Sequence, residues 1–418
     1  MIKFGKIYTN FKVKNIKLNI LLNPLIIYSL IWILTALLIS LKITKNLEEF
    51  SGDGALLVYI TISTAIIFLL WQKYFFKKNI PEQKIDIFRL QKITNKIFYI
   101  WIFLIILYSI LAGGFGLLWI LRGIQVDYTD VQIPSLWGLN ITLCYSLGCA
   151  YLYLLMNSNE KRKNLLKLRF FVVLSFPVLI FSRNVMLQLF LQLVCVGLLN
   201  SEIKLKKSIF RIVISALVLI YFFGLIGDNR TVGGVQNPFS DYIFEDYQDI
   251  MNILPSGFTW IYMYITANYN NVLFSISNFQ PTHELYPIFM NLVPGALKDL
   301  VFGEAITTNS VVSSIVKDAN LTVASFYAGP IIAYGFMGAL IGGIFIQLSS
   351  LFWYRLALSK NFGYQLCYSA IFACMFFSIF YDAFFTMGTI TQLIIGVFFA
   401  KNCRPNPKLA KNSIIISN

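Results

Sequence analysis

The one histidine of the chain, His283, stands beside Glu284 within Gln280-Pro-Thr-His-Glu-Leu-Tyr286-Pro287. An imidazole titrates near neutral pH and can take a proton from a hydroxyl, the more so when a carboxylate orients it. Neighbours in sequence need not touch, so a plain surface histidine is the alternative. Arg183 lies in Phe181-Ser182-Arg183-Asn184, between two short apolar segments. A cation there is costly unless paired or wetted. Its guanidinium is a planar, permanently charged fork that suits phosphate oxygens; a snorkelling arginine at a helix end is the other reading. Arg230 follows in Gly227-Asp228-Asn229-Arg230, where apolar sequence gives way to polar. It either pairs with Asp228 or joins Arg183 over a phosphate-bearing headgroup. Glu245, Asp246, Asp299 and Glu304 read as solvated loop charges. Asp382, in Phe380-Tyr381-Asp382, ends an apolar segment and can partner Arg183 as easily as bind a substrate.

Several kinds of chemistry are missing from the sequence. It has no phosphate-binding glycine loop, no Cys/His metal spacing and no nucleophile elbow. With a single histidine, a multi-histidine metal site is excluded. Neither a metal nor a cofactor is expected, and an ATP-driven pump is disfavoured. Any reaction must draw its energy from the substrate or from an ion gradient.

The elements that position these residues are membrane spans. Hydrophobic residues make up 57% of the chain and charged residues 13%, and the mean hydropathy is +0.70. A globular protein is about one quarter charged, so a soluble domain is ruled out. A span needs about 20 mostly apolar residues. That length places spans near 22–41, 55–75, 97–119, 134–156, 170–182, 184–200, 211–227, 331–354, 364–384 and 387–400. The fold class is therefore all-α, a polytopic membrane protein of about ten transmembrane helices. The fifth and sixth segments are short and meet at Phe181–Asn184 in a tight hairpin. The first apolar run is too long for a signal-peptide core and is read as a retained span.

Charge placement orients the chain. With the N-terminus inside, 27 of the 34 Lys/Arg fall on the cytoplasmic side and 15 of the 19 acids on the other. The Lys/Arg bias is the diagnostic one. The net charge of +15 thus reflects membrane orientation, not nucleic-acid binding. Both termini are expected in the cytoplasm. The chain divides into an N-terminal bundle (1–227, about seven spans), an extracytoplasmic loop or cap (228–325), a C-terminal bundle (326–400, about three spans) and a polar cytoplasmic tail (401–418). The loop holds nine acids and three bases and is read as a small folded cap. Within it, Phe258–Tyr269 is apolar and aromatic but studded with Asn and Tyr, and reads as a helix lying on the membrane surface. The six cysteines lie in or beside spans, so no disulfide framework is expected.

Three features make the chain similar to a known family. They are Asn23-Pro24 opening the first span after a basic N-terminus, Phe181-Ser182-Arg183-Asn184 between short apolar segments, and Asn320-Leu-Thr-Val-Ala-Ser-Phe-Tyr327 followed by Ala333-Tyr334-Gly335-Phe336-Met-Gly338. Together with the layout of spans and one late outer loop, they resemble the Wzy-type O-antigen polymerases, which join oligosaccharide repeat units. The turn here reads Ser-Arg-Asn where the family has a Ser-Arg-Gly-like turn. Ala333 stands where an acidic residue commonly precedes the aromatic-glycine pair.

The resemblance implies an enzyme of the cytoplasmic (inner) membrane that extends O-antigen or capsular chains for lipopolysaccharide or capsule assembly. Its partners would be undecaprenyl-diphosphate-linked oligosaccharides, membrane lipid and a chain-length regulator protein. The anomeric diphosphate is already an activated leaving group, so no nucleotide is required. Arg183, Arg230 and Lys298 suit neutralisation of the departing diphosphate. His283, or a loop carboxylate such as Asp228 or Glu284, suits the base that takes the acceptor proton. Loop Tyr and Trp residues can stack on sugar faces. An O-antigen ligase or related lipid-linked-sugar glycosyltransferase shares the layout. A lipid-linked oligosaccharide flippase is the rival from another class, although such transporters usually spread their loops evenly and carry charges within their spans.

Overall fold

The computed structural model describes residues 10–13, 16–19, 22–45, 52–75, 81–83, 85–122, 133, 135–158, 163–200, 205–230, 239–278, 280–294, 297–303 and 325–405. Among the described residues, the regular structure is helical apart from a short hairpin in the basic N-terminus. Strands β1 (Asn10–Val13) and β2 (Ile16–Asn19) pair antiparallel, with Phe11 opposite Leu18 and Val13 opposite Ile16. Apolar residues alternate there with Lys12 and Lys17, a period of two that a search for long apolar runs passes over.

The helices, in order, begin with α1 (Pro24–Ser40), α2 (Gly52–Phe75), α3 (Ile87–Leu111), α4 (Gly116–Leu121) and α5 (Leu136–Asn157). Next come α6 (Lys163–Leu179), α7 (Arg183–Asn200), α8 (Leu205–Arg230), α9 (Glu245–Ile253) and α10 (Ser256–Asn278). The last are α11 (Tyr286–Phe289), α12 (Lys298–Phe302), α13 (Ala328–Ala357), α14 (Phe362–Phe377) and α15 (Met387–Asn402). Among the described residues, five stretches are long and apolar enough to cross a membrane: Gly54–Gln72, Ile87–Trp119, Leu136–Asn157, Arg183–Asn200 and Ala328–Ala357. Pro24–Ser40, Val213–Asp228 and Phe362–Phe377 are shorter apolar helices. The chain forms two compact units, both discontinuous in sequence: 1–78, 203–351 and 374–386, and 79–202, 352–373 and 387–418.

In the first unit, α1 and α2 are neighbours, and α10 packs on α8, α1 and α2. The start of α1 is built by the Asn23-Pro24 pair. The Asn23 side chain accepts the Leu25 N–H at 3.1 Å, and Pro24 fills the first turn, where a missing N–H costs nothing. The same side chain donates to Gln72 Oε1 at 2.8 Å, tying the start of α1 to the end of α2. Beyond the other end of α1, Lys45 N donates to Tyr242 O at 2.8 Å and Phe244 N to Ile43 O at 3.0 Å. A polar cluster lies inside the unit. Tyr327 and Tyr28 share a hydrogen bond, Thr61 bonds Tyr327 at 3.0 Å, and Gln347 Nε2 donates to Thr61 O and Thr64 Oγ1 at 3.2 and 3.1 Å. Neutral polar bonds of this kind hold helices together where apolar contact alone gives no preference over lipid.

The segment read as a helix lying on the membrane surface is longer than the sequence reading and lies differently. Helix α10 is buried at Thr259, Trp260, Tyr262, Met263 and from Ile265 through Leu273. Burial all round marks a helix inside a bundle, whereas a surface helix keeps one open face. Close packing against α8 is set by two glycines: a Cβ on Gly257 would fall 1.9 Å from Ile220 O, and one on Gly224 would fall 2.4 Å from Gly257 N.

In the second unit α5 is the central helix, buried continuously from Thr142 through Tyr151. Helix α3 turns Leu90, Thr94, Phe98, Trp101 and Tyr108 inward, and Trp101 Nε1 donates to Asn140 O at 3.0 Å. Its outer face shows Tyr99, Ile100, Phe103, Ile106 and Ile110, an apolar surface suited to lipid. The amides of Gln192 and Gln392 bond each other in both directions, at 3.2 and 2.5 Å. The Phe181–Asn184 hairpin is a turn between α6 and α7, with Phe181 at φ 55 and Ser182 N bonded to Pro177 O at 3.1 Å. All six cysteines are buried thiols.

Candidate functional site

Within the first unit, helix α13 is broken seven residues in. Tyr334 has φ −140, ψ 21 and Gly335 has φ 60, ψ −145. Only glycine takes the second conformation at little cost. Residues 328–333 turn back so that Pro330 O lies against Gly338, where a Cβ would sit 2.0 Å away. The long piece, 336–357, continues as the apolar helix.

A break in a helix leaves carbonyls without partners. Here the loop ahead of α11 takes them. Thr282 N donates to Ile332 O at 2.9 Å, its Oγ1 to the same oxygen at 3.3 Å, and His283 N to Ala333 O at 2.9 Å. Pro281 covers Gly335, 3.2 Å from where a Cβ would stand. The Gln280–Pro287 segment and the Ala333–Gly338 block, far apart in sequence, are therefore one structural element.

His283 is held in a left-handed conformation, φ 58, and its exposed ring meets Tyr334 edge-to-face at 6.1 Å between centroids. Glu284 is exposed and gives its N–H to Thr282 Oγ1 at 3.4 Å. The described contacts of the imidazole are with the helix break and not with the Glu284 carboxylate, so Tyr334 orients the ring.

The connection between α14 and α15 adds a carboxylate. Ser378 O accepts Phe326 N at 2.8 Å. Phe385 packs edge-to-face on Phe289 at 5.3 Å and stacks with Phe326 at 6.2 Å. Asp382 Oδ1 accepts the N–H groups of Phe384 and Phe385 at 3.0 and 3.1 Å. Burial raises its carboxyl to about 7, partly offset by those two donors. A carboxyl poised near neutrality in the connection of a helix pair can exchange protons at working pH. The segments around His283, Tyr334 and Asp382 thus pack together through Phe289, Phe326 and Phe385.

The remaining sequence-derived candidates stand elsewhere. Asp228 is not in a loop, because α8 runs on to Arg230. Its oxygens accept Ser256 Oγ at 2.6 Å and Trp260 Nε1 at 2.9 Å, which makes it a fastener between α8 and α10. Arg230 closes α8; its side chain lies outside the described residues, as do Glu304 and the side chain of Asp299. Lys298 opens α12 and donates to Asn291 Oδ1 at 3.0 Å, and burial lowers its pKa. Glu245 and Asp246 are exposed in the first turn of α9, where acids complement the helix dipole. Arg183 belongs to the second unit, half-buried as the first residue of α7, and is in contact with neighbouring groups. A guanidinium at a helix N-terminus, where the dipole is also positive, favours an anion.

Among the described residues, no three His, Cys, Asp or Glu side chains are grouped to hold a metal ion. Tyr334 and the raised carboxyl of Asp382 are the features that sequence reasoning did not assign. The signal for the first was the Tyr334-Gly335 pair inside an apolar run; the second depends on burial, which no spacing shows. Comparison of the chain with protein-family models, with curated proteins and with solved structures gave no match.

Proposed function

We propose that the chain is a membrane glycosyltransferase that joins undecaprenyl-diphosphate-linked oligosaccharide repeat units into a surface polysaccharide, an O-antigen or capsule. The observation that carries this reading is the break at Tyr334–Gly335. The block that resembles the family's loop-closing segment is also the one that fixes His283 and packs beside the Asp382 connection. The acceptor hydroxyl oxygen forms a bond to the anomeric carbon of the donor chain while the bond from that carbon to the lipid diphosphate breaks. The diphosphate leaves with the electron pair, and the hydroxyl proton passes to His283. Arg230 and Lys298, of the same unit as His283, offset the charge gathering on the leaving group.

The reading includes about ten spans, counting α6 and α15 and the three shorter apolar helices. It also puts both termini in the cytoplasm and residues 228–325 outside. The bonds from Lys45 to Tyr242 and from Phe244 to Ile43 support that placement, since they put the α1–α2 connection and the start of the loop together. The charge bias supports it as well. Labelling by an impermeant reagent of a cysteine placed at Lys408, but not one at Gln280, in spheroplasts would overturn it.

Purified chain in liposomes containing the lipid-linked repeat unit should build a ladder of products, each longer by one repeat. A second reading, a lipid-linked saccharide transporter, draws on the interrupted helix and on the buried neutral pairs Gln192–Gln392 and Tyr28–Tyr327. Transbilayer movement of a labelled lipid-linked saccharide with no new glycosidic bond would replace the polymerase reading with that one.

A further inference from the structure

Arg169, on α6 of the second unit, is fixed by neutral groups. One terminal nitrogen donates to Asn95 Oδ1 and the other to Tyr99 OH at 2.8 Å, both on α3. Its guanidinium carbon lies 5.6 Å from the Phe98 ring centroid and 5.3 Å from that of Tyr99. Tyr151 OH, on α5, donates to the same Asn95 oxygen at 3.4 Å, so three helices set the geometry. Helices α3, α5 and α6 carry no aspartate or glutamate along their lengths. Asp86, just before α3, accepts the Arg89 N–H as its cap.

Further cations share this face. Arg89, Lys92, Lys96 and Tyr99 follow one another at helical spacing on α3, and all four are exposed. Asn95 and Arg169 stand roughly 10 Å into their helices at 1.5 Å per residue, within the first turns of each. Charges that only orient a chain during insertion need no fixed geometry. This guanidinium has one: two hydrogen bonds and two ring faces hold it, and the described contacts use two of about five N–H donors.

We propose that Arg169, with Arg89, Lys92 and Lys96, forms a binding site for the phosphate of a membrane lipid headgroup, at the membrane face where α3 and α6 begin. The aromatic pair supplies a platform that keeps the guanidinium at the surface, and the phosphate supplies the negative charge that the surrounding helices lack. The site is separate from the His283 assembly and does not depend on the polymerase reading.

Native mass spectrometry of the full chain in neutral detergent, titrated with phosphatidylglycerol and with phosphate-free diacylglycerol, tests it. Wild-type protein should retain phosphatidylglycerol over diacylglycerol. Arg169→Gln should weaken retention at least about tenfold, the scale of one lost charge-assisted bond, and Arg169→Lys should weaken it less. The exposed pair Lys92→Gln/Lys96→Gln should weaken it severalfold without touching the core, and it decides the matter if Arg169→Gln fails to fold. Phosphatidylglycerol binding unchanged in Lys92→Gln/Lys96→Gln and in folded Arg169→Gln would overturn the site. Displacement of the lipid by equimolar inorganic phosphate would overturn its assignment to a lipid.

Discussion

The backbone N–H of His283 reaches the carbonyl oxygen of Ala333 at 2.9 Å, one residue before helix α13 breaks. The bond serves both partners. It satisfies a carbonyl that the break would otherwise leave open, and it holds a histidine in a left-handed conformation that isolated chains avoid. The loop and the helix therefore stabilise each other's irregularity.

Gly335→Ala tests the break itself. At φ 60, ψ −145 a Cβ is strained, and it would also press on Pro281. The substitution should cost about 1–3 kcal/mol, seen as a lower thermal midpoint in detergent. Gly197→Ala, in α7 with nothing near its added Cβ, should be neutral or slightly stabilising. Equal midpoints for Gly335→Ala and wild type would mean that the helix runs straight through this position.

Asp382 makes stability depend on pH. Its carboxyl is raised to about 7 by burial, against about 4 in an unfolded chain. The protonated form is the one the fold prefers. That contribution is complete below the unfolded value and is lost as pH rises from about 4 through about 7. The thermal midpoint should fall between pH 5 and pH 8. Asp382→Asn should flatten this fall while keeping an oxygen for the Phe384 and Phe385 N–H groups. A slope unchanged in Asp382→Asn would assign the pH dependence to other groups.

What the sequence revealed, and what it hid, follows from the kind of signal each feature carries. The apolar runs were readable because a lipid-facing helix must be apolar along its length, as α3 is at Tyr99, Ile100, Phe103 and Ile106. Helix α10 was misread because hydropathy counts Asn268, Asn270 and Asn271 as water-seeking, whereas they are buried against other helices. The start of the outer loop was set at Asp228 because the apolar run ends there, yet the helix continues to Arg230. The residues of the candidate site were singled out piecemeal. His283 was visible as the lone histidine, and the Ala333–Gly338 block as a motif. Their junction was not, because backbone hydrogen bonds between distant segments leave no mark on residue type.

Arg183 and Arg230 carry the next prediction. Both stand at helix ends, one opening α7 and one closing α8. If each bonds a diphosphate oxygen through its planar fork, lysine is a poor substitute. Arg183→Lys and Arg230→Lys should each cut polymer formation roughly 100- to 1000-fold, the usual effect of removing one donor to transition-state charge. Protein levels in the membrane should not change. Residues that merely snorkel would tolerate lysine, so a full-length ladder from either variant would remove that arginine from diphosphate binding.

The last prediction separates the backbone of His283 from its ring. Asparagine enters the left-handed region more readily than other residues, so His283→Asn should preserve the bond to Ala333 and the thermal midpoint. His283→Ala loses that tolerance and should destabilise the fold by about 1–2 kcal/mol. The two variants thus differ in stability but share the loss of the imidazole. If the ring takes the acceptor proton, both should lose polymer formation by about 100-fold or more, and His283→Asn should do so in a protein as stable as wild type. If His283 serves only to anchor the loop, His283→Asn should remain active while His283→Ala declines with its stability. Ladders of normal length from His283→Asn would therefore remove the imidazole from the mechanism and leave proton transfer to a carboxyl of the same assembly, Glu284 or Asp382.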